Sequence, residues 1–408
     1  MASTASGHQI DTIGGGITAP AGFRAAGVSC GIKASGPDLA LLVADGAASA
    51  AGLFTTNLAQ AAPVVLSRDH LARSKGLAKA VVVNSGCANA CTGPAGFEIA
   101  WRTAELLAQH LGCDAEQVLV ASTGVIGVAL DFEKISKGAG AALGALQRDG
   151  GHDAALAIMT TDRSPKETAV QVRTSDGTFR VGGMAKGAGM IEPMMATMLA
   201  FVTCDARVAP SVLHRALTEV AAETFNAITV DGECSTNDSL LALASGRSGV
   251  EIDERLYPAL VGGLRTVCRY LAVEIVRGGE GATKLVTIHV AGAASIADAR
   301  RAARAIANSP LVKTAIHGGN PNWGRLIAAA GRSGVLFDLD HAAVTIGPVV
   351  LFKNGRPSDE AAPEAASHLR ANEVTMEVNL GSGGSHHATM WTCDFSAEYV
   401  RINADYRT

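Results

Sequence analysis

Short apolar runs, each closed by Gly, Pro or a polar turn, alternate with amphipathic helical stretches along most of the chain, and this alternation narrows the fold most. Residues 38–45, 51–54, 63–66, 80–84, 117–121, 197–202, 227–230, 285–290, 344–353, 373–380 and 390–393 read as strands. Helical spacing runs through 67–75, 97–111, 131–146, 152–159, 210–225, 253–277, 296–307 and 397–402. Gly112 is placed to stop the second of these helices, and Asp131 to cap the third. Segments 169–173 and 178–181 form a hairpin over Ser175-Asp176-Gly177. The pattern predicts α/β layers with partly antiparallel sheets.

The core of such layers must be made from what the chain has. Hydrophobic residues are 48% and charged residues 18%, so a large core forms and disorder is excluded. Aromatics are only 4% against 46 Gly, so Ala, Val, Leu and Ile pack it, with close backbone approaches. A net charge of −4 with no basic run leaves no electrostatic footprint for nucleic acid. A small polar metabolite is the expected partner. The eight Cys are scattered without Cys-x-x-Cys or zinc spacing, as in a reducing compartment, and a cytoplasmic enzyme or binding protein is expected. Residues 1–16 lack the basic and apolar regions of a signal peptide, and no window of 18 apolar residues suggests a membrane span.

Several familiar chemistries lack their residues. There is no Gly-x-Ser-x-Gly elbow and no Gly-x-Gly-x-x-Gly after the first strand. The Gly-rich run 182–189 reads as a mobile loop carrying Lys186, but no Ser or Thr follows that Lys as a phosphate-binding loop requires. His386-His387 reads as a polar turn rather than a metal site, and no cofactor or metal is expected. One mechanism suits the middle of the chain. After the Gly-rich run, Pro193 fixes the backbone and the apolar run from Thr197 begins. On its own Thr197 is a β-branched strand residue. A Thr hydroxyl becomes a nucleophile only beside a base, and an α-amine, with a reference pKa of about 7.7–8.0, is such a base. Cleavage of the Ala196–Thr197 bond would supply one.

The stretch Gly183-Met184-Ala185-Lys186-Gly187-Ala188-Gly189-Met190-Ile191-Glu192-Pro193, with Met195-Ala196-Thr197-Met198-Leu199, resembles the signature of the ornithine acetyltransferase family, also called glutamate N-acetyltransferase. Further matches are Asn84-Ser85-Gly86, Ser122-Thr123-Gly124-Val125-Ile126-Gly127, Ile158-Met159-Thr160-Thr161-Asp162, Ser235-Thr236-Asn237-Asp238, Gly279-Glu280-Gly281, Pro321-Asn322-Trp323-Gly324-Arg325 and Tyr399-Val400-Arg401-Ile402-Asn403-Ala404. The resemblance implies a layered αββα-type sandwich related to N-terminal-nucleophile folds, with a smaller α+β C-terminal region at about 285–408. It implies self-cleavage into an α chain, 1–196, and a β chain, 197–408, in an α2β2 assembly. Thr197 would take the acetyl group of N2-acetylornithine and pass it to glutamate, and acetyl-CoA is a candidate second donor. Thr123 and Gly124 would form the oxyanion hole, and Thr160, Lys186, Glu280, Asn403 and Thr408 would contact substrate. Met194, Glu233-Cys234, Asn320, Ser385-His386-His387 and Thr392 depart from the family pattern. They leave open a paralogue acetylating another amino acid. An N-terminal-nucleophile amidase or aminopeptidase, and a non-catalytic binding protein, are the other readings.

Overall fold

The computed structural model describes residues 8–192 and 198–405. The first part of the chain runs β1 (Gln9–Ile13), β2 (Phe23–Val28), β3 (Leu39–Phe54), α1 (Ala62–Arg73), β4 (Leu77–Cys87), α2 (Gly93–Leu111), β5 (Val118–Val125), α3 (Phe132–Gly144) and α4 (Gly151–Ala157). It continues through β6 (Lys166–Thr174), β7 (Gly177–Lys186), β8 (Leu199–Cys204), α5 (Pro210–Glu223), β9 (Ser239–Ala244) and α6 (Tyr257–Arg277). These strands form one hydrogen-bonded sheet in the order β1-β6-β7-β8-β9-β3-β4-β5, with β2 also on β3. The β8–β9 and β4–β5 pairs are parallel; the others are antiparallel.

Strand β3 folds this sheet over. Its first half pairs with β2 and β4, its second half with β9, and the register against β4 shifts between Val43 and Ala48. A bulge of this kind bends a strand. In a flat sheet, β7 and β5 would lie five strand spacings apart, about 24 Å at the usual separation. Yet the Lys186 side chain on β7 reaches Thr123 on β5 at 3.2 Å. The two halves therefore face each other. Between them lie Leu199, Phe201, Leu241 and Leu243 from one half and Leu42, Val81, Val83 and Leu119 from the other, all buried. Alternation sends the neighbouring residues outwards. Ala200 and Val202 pack under α5 and α6, and Leu39, Leu41 and Val43 under α1, α2 and α3. The result is α-β-β-α layering, as the family resemblance implies.

The remaining chain is a smaller α+β unit. It contains β10 (Leu285–Ala293), α7 (Ile296–Ala307), α8 (Pro310–His317), α9 (Trp323–Gly331), β11 (Ala343–Ile346), β12 (Val349–Lys353), β13 (Arg356–Pro357), α10 (Ala362–His368), β14 (Glu373–Asn379), β15 (His386–Cys393) and α11 (Ala397–Asp405). Its sheet has the order β13-β12-β11-β14-β10-β15 and its own apolar core, including Val286, Ile288, Ile306, Val344 and Met376.

Some elements differ from expectation. Residues 63–66 are helical, because Pro63 sits in the first turn of α1, where its missing N–H costs nothing. Residues 227–230 do not form a ladder strand; Ile228 makes a single bridge to Trp391. Residues 38–45 and 51–54 are one strand, β3. The polar loop 317–325 is shortened from both sides by α8 and α9. The run 182–186 is not a loop but the end of β7, paired on both edges. Of the cysteines, Cys87, Cys204, Cys268 and Cys393 are buried, whereas Cys91 is exposed.

Candidate active site

Lys186 is the last residue of β7, in register with Leu199 at the start of β8. Its backbone is fixed by the sheet, so its side chain has a defined origin. It is buried, and Nζ donates to Thr160 Oγ1 at 2.7 Å and to Thr123 Oγ1 at 3.2 Å. An ammonium has no acceptor, so both hydroxyl oxygens accept from it, and each hydroxyl proton is left to donate elsewhere. Thr123 and Gly124 lie two residues and one residue before the end of β5, beside Ser85 and Gly86 of β4. Gly124 has φ +129°, and a Cβ there would lie 2.3 Å from the Gly86 carbonyl carbon. Only glycine fits this approach.

Asp162 organises the charges. Its carboxylate is buried, bonded to Lys166 Nζ at 2.6 Å and to the Gly187 backbone N–H at 2.7 Å. The Thr160 N–H also donates to it, at 3.2 Å. Burial alone would raise its pKa, but the charges of Lys186 and Lys166 and these hydrogen bonds prevail and hold it at about 2. Burial lowers the pKa of Lys186, against the opposing pull of Asp162.

The opposite wall comes from the chain after α6 and from α11. Glu280 is buried, its N–H donates to Ala188 O at 2.8 Å, and its carboxylate accepts from Asn403 Nδ2 at 2.9 Å. Gly189 leaves room for that carboxylate, since a Cβ there would stand 2.4 Å from Glu280 Oε2. Asp231 accepts from the N–H groups of Met190 and Ile191, both at 2.7 Å, and from Tyr399 OH at 3.2 Å. It thereby anchors the chain just ahead of residues 193–197. Asn237 ties the third side together, donating to Ala88 O at 2.6 Å and Ser122 O at 2.8 Å.

These side chains surround a cavity of about 150 Å³. Of the residues singled out from sequence, Thr123, Gly124, Thr160, Lys186, Glu280 and Asn403 all line it. Ala196, Thr197, Thr408 and Met194 lie outside the described residues. Met198, directly after Thr197, lines the cavity as well. Asn320, His386 and His387 do not. Sequence reading assigned no role to Asp162, Asp231, Asn237 or Tyr399. For Asp162 a signal was present, because Lys166 follows four residues later, but it pointed to an ordinary ion pair. No group of three or more His, Cys, Asp or Glu suited to a metal occurs among the described residues.

The arrangement can hold a small zwitterion between a cation, Lys186, and a carboxylate, Glu280. The hydroxyls of Thr123 and Thr160 and the backbone of Gly124 line the same cavity. The ArgJ family model matches residues 24–408. The arginine biosynthesis bifunctional protein ArgJ of Parasynechococcus marenigrum is 47% identical over 398 residues, covering 97% of this chain and 96% of its own. The protein of the same name from Symbiobacterium thermophilum is 48% identical over 407 residues, covering 98% of this chain and 100% of its own. A crystal structure of the Bacillus halodurans protein aligns with 41% identity and a TM-score of 0.49, over 50% of this chain and 98% of that one.

Proposed function

The chain belongs to the ArgJ family, and from that premise we propose that it is an ornithine acetyltransferase of arginine biosynthesis, moving an acetyl group from N2-acetylornithine to glutamate. The chain cleaves itself between Ala196 and Thr197, and the freed amine of Thr197 serves as the base for its own hydroxyl. Thr197 Oγ attacks the acetyl carbonyl, the C–N bond breaks, and the amine proton goes to the departing ornithine nitrogen. Glutamate then attacks the acetyl-Thr197 ester and regenerates the hydroxyl.

Thr123 and Gly124 stabilise the oxyanion. Lys186 already donates to Thr123 Oγ1, so the Thr123 hydroxyl proton is directed away from Lys186 and towards the developing negative charge. One such donor is typically worth about 3–4 kcal/mol of barrier. Lys186 and Thr160 receive the substrate α-carboxylate, and Glu280, oriented by Asn403, takes the side-chain amine of ornithine. Thr408 would close the site. The word bifunctional in the relatives' names supports acetyl-CoA as a second donor. An α2β2 assembly in the cytoplasm follows from the same reading. No described helix is long and apolar enough to cross a membrane.

The observation that carries the proposal is the convergence of Thr123, Gly124, Lys186, Glu280 and Asn403 on one cavity beside the start of β8. The test is intact mass on denatured, active protein, with acetyl transfer assayed alongside. Two chains meeting at residues 196 and 197 are expected, with Thr197→Ala uncut and inactive. An active species of 41.5 kDa, the mass of the whole chain, would falsify the mechanism. Acetate release without transfer to glutamate would instead make the protein an amidase.

A further inference from the structure

A second cavity, of about 380 Å³, opens between the end of α5, helices α6 and α7, and strand β15. Arg269, Arg300 and Arg304 line it with His387 and Trp391. Its one acidic lining residue, Glu223, is already paired with Arg265 at 3.0 Å. In a chain of net charge −4, this is a local concentration of positive charge. Arg269 stands over the Trp391 ring, 6.0 Å from its centroid. Arg300 is exposed and makes no hydrogen bond or ion pair among the described residues. Arg304 faces two ways. It lines the cavity, donates to Asn226 O at 3.1 Å, and pairs with the Glu192 carboxylate at 2.9 Å. Glu192 directly precedes residues 193–197 and is held to Glu233 O through its N–H at 2.8 Å.

Guanidinium groups match the geometry of phosphate oxygens and bind them with charge-assisted hydrogen bonds. We propose that this cavity is a second ligand site, for a small phosphate-class anion held by Arg300, Arg269 and Arg304. Its occupancy is felt at the active site, because an anion drawn to Arg304 competes with Glu192 for the same guanidinium. That weakens the hold on the chain segment leading to Thr197. Two sites joined through one side chain in this way share a coupling free energy. This second step rests on the acetyl-transfer reading; the binding itself does not.

The probe is inorganic pyrophosphate, titrated by calorimetry into the processed protein at ionic strength held constant with sodium chloride. Saturable binding at one site per protomer is expected, at least tenfold weaker in Arg300→Ala and unchanged in Arg301→Ala, whose side chain pairs with Asp298 outside the cavity. No saturable binding, equal binding by Arg300→Ala, or an equal loss in Arg301→Ala overturns the site. With binding established, pyrophosphate is expected to shift the KM of acetyl transfer in the parent protein and not in Arg300→Ala. An unchanged KM overturns the link through Arg304.

Discussion

Asp162 shows how much one buried residue governs at this site. It faces Lys166 directly and lies within the field of Lys186, so it compensates two buried ammonium groups. Removing the charge strands both. Asp162→Asn is expected to cost about 3–5 kcal/mol of stability, read from urea unfolding at neutral pH. The folded carboxyl titrates at about 2, below its reference of 3.8. Its contribution, on the order of 2 kcal/mol, is therefore complete above the unfolded value and lost as pH falls through about 2. The variant should lose that part of the acid sensitivity, and an unchanged acid limb would count against the assignment. Lys186 gives the alkaline counterpart. Burial lowers its pKa from 10.5, so the basic limb of kcat/KM should fall below that value. Lys186→Arg, which keeps its charge, should shift the limb upwards. A limb at the free-lysine position in the parent protein would refute the role.

At the scale of elements, β1 and β9 escaped the sequence reading altogether, and of β7 only 178–181 was read as strand while its second half was not. Its run of glycines reads as a flexible loop, because glycine has low strand propensity. Packing decides otherwise. A Cβ on Gly183 would sit 2.8 Å from Val267 Cγ1 and 2.9 Å from Leu271 Cδ1 of α6, so the helix lies where only glycine admits it. Gly183→Val is expected to cost about 1–3 kcal/mol, with α6 displaced and Lys186 misplaced three residues on. Matching urea midpoints for variant and parent would dismiss this packing role. Helix ends were more legible, since their signals are local. Gly112 closes α2 with φ +63°, and Asp131 caps α3 by accepting from the Glu133 N–H at 3.0 Å. The strand expected at 63–66 failed for the same kind of reason, with the local apolar pattern outweighed by Pro63 and by burial against β5.

At the scale of the whole molecule, the sandwich and the smaller sheet meet at Asp394. Its buried carboxylate accepts from the Thr283 N–H at 2.8 Å, Thr283 Oγ1 at 2.6 Å and the Lys284 N–H at 2.9 Å, and lies 2.7 Å from His317 Nδ1. Lys284 Nζ in turn donates to Ile316 O and Leu369 O. Glu280 precedes this junction and Asn403 follows it, so the junction sets the distance across which they meet. Asp394→Asn exchanges an acceptor for a donor there and is expected to cost about 1.5–3 kcal/mol. Because the Glu280–Asn403 wall loosens, KM for acetylornithine should rise more than kcat falls. A parent-like KM in a folded variant would show that the junction is structural alone.

The sequence by itself determined the layered α/β class, several helix ends, the family, and six of the residues that line the site, Thr123, Gly124, Thr160, Lys186, Glu280 and Asn403. Those properties reside in local patterns: period, caps, and short motifs whose residue types the chemistry requires. Only the tertiary structure decided that β3 bends the sheet until β5 and β7 face each other, which is what brings Thr123 to Lys186. It alone added Lys186 to Asp162 as a second ammonium partner and set Glu280 against Asn403, 123 positions further along the chain. The cationic cavity at Arg300 likewise draws on four separate stretches of the chain. Contacts of that kind depend on how the layers close. No window of sequence contains both partners, so no local pattern encodes their distance.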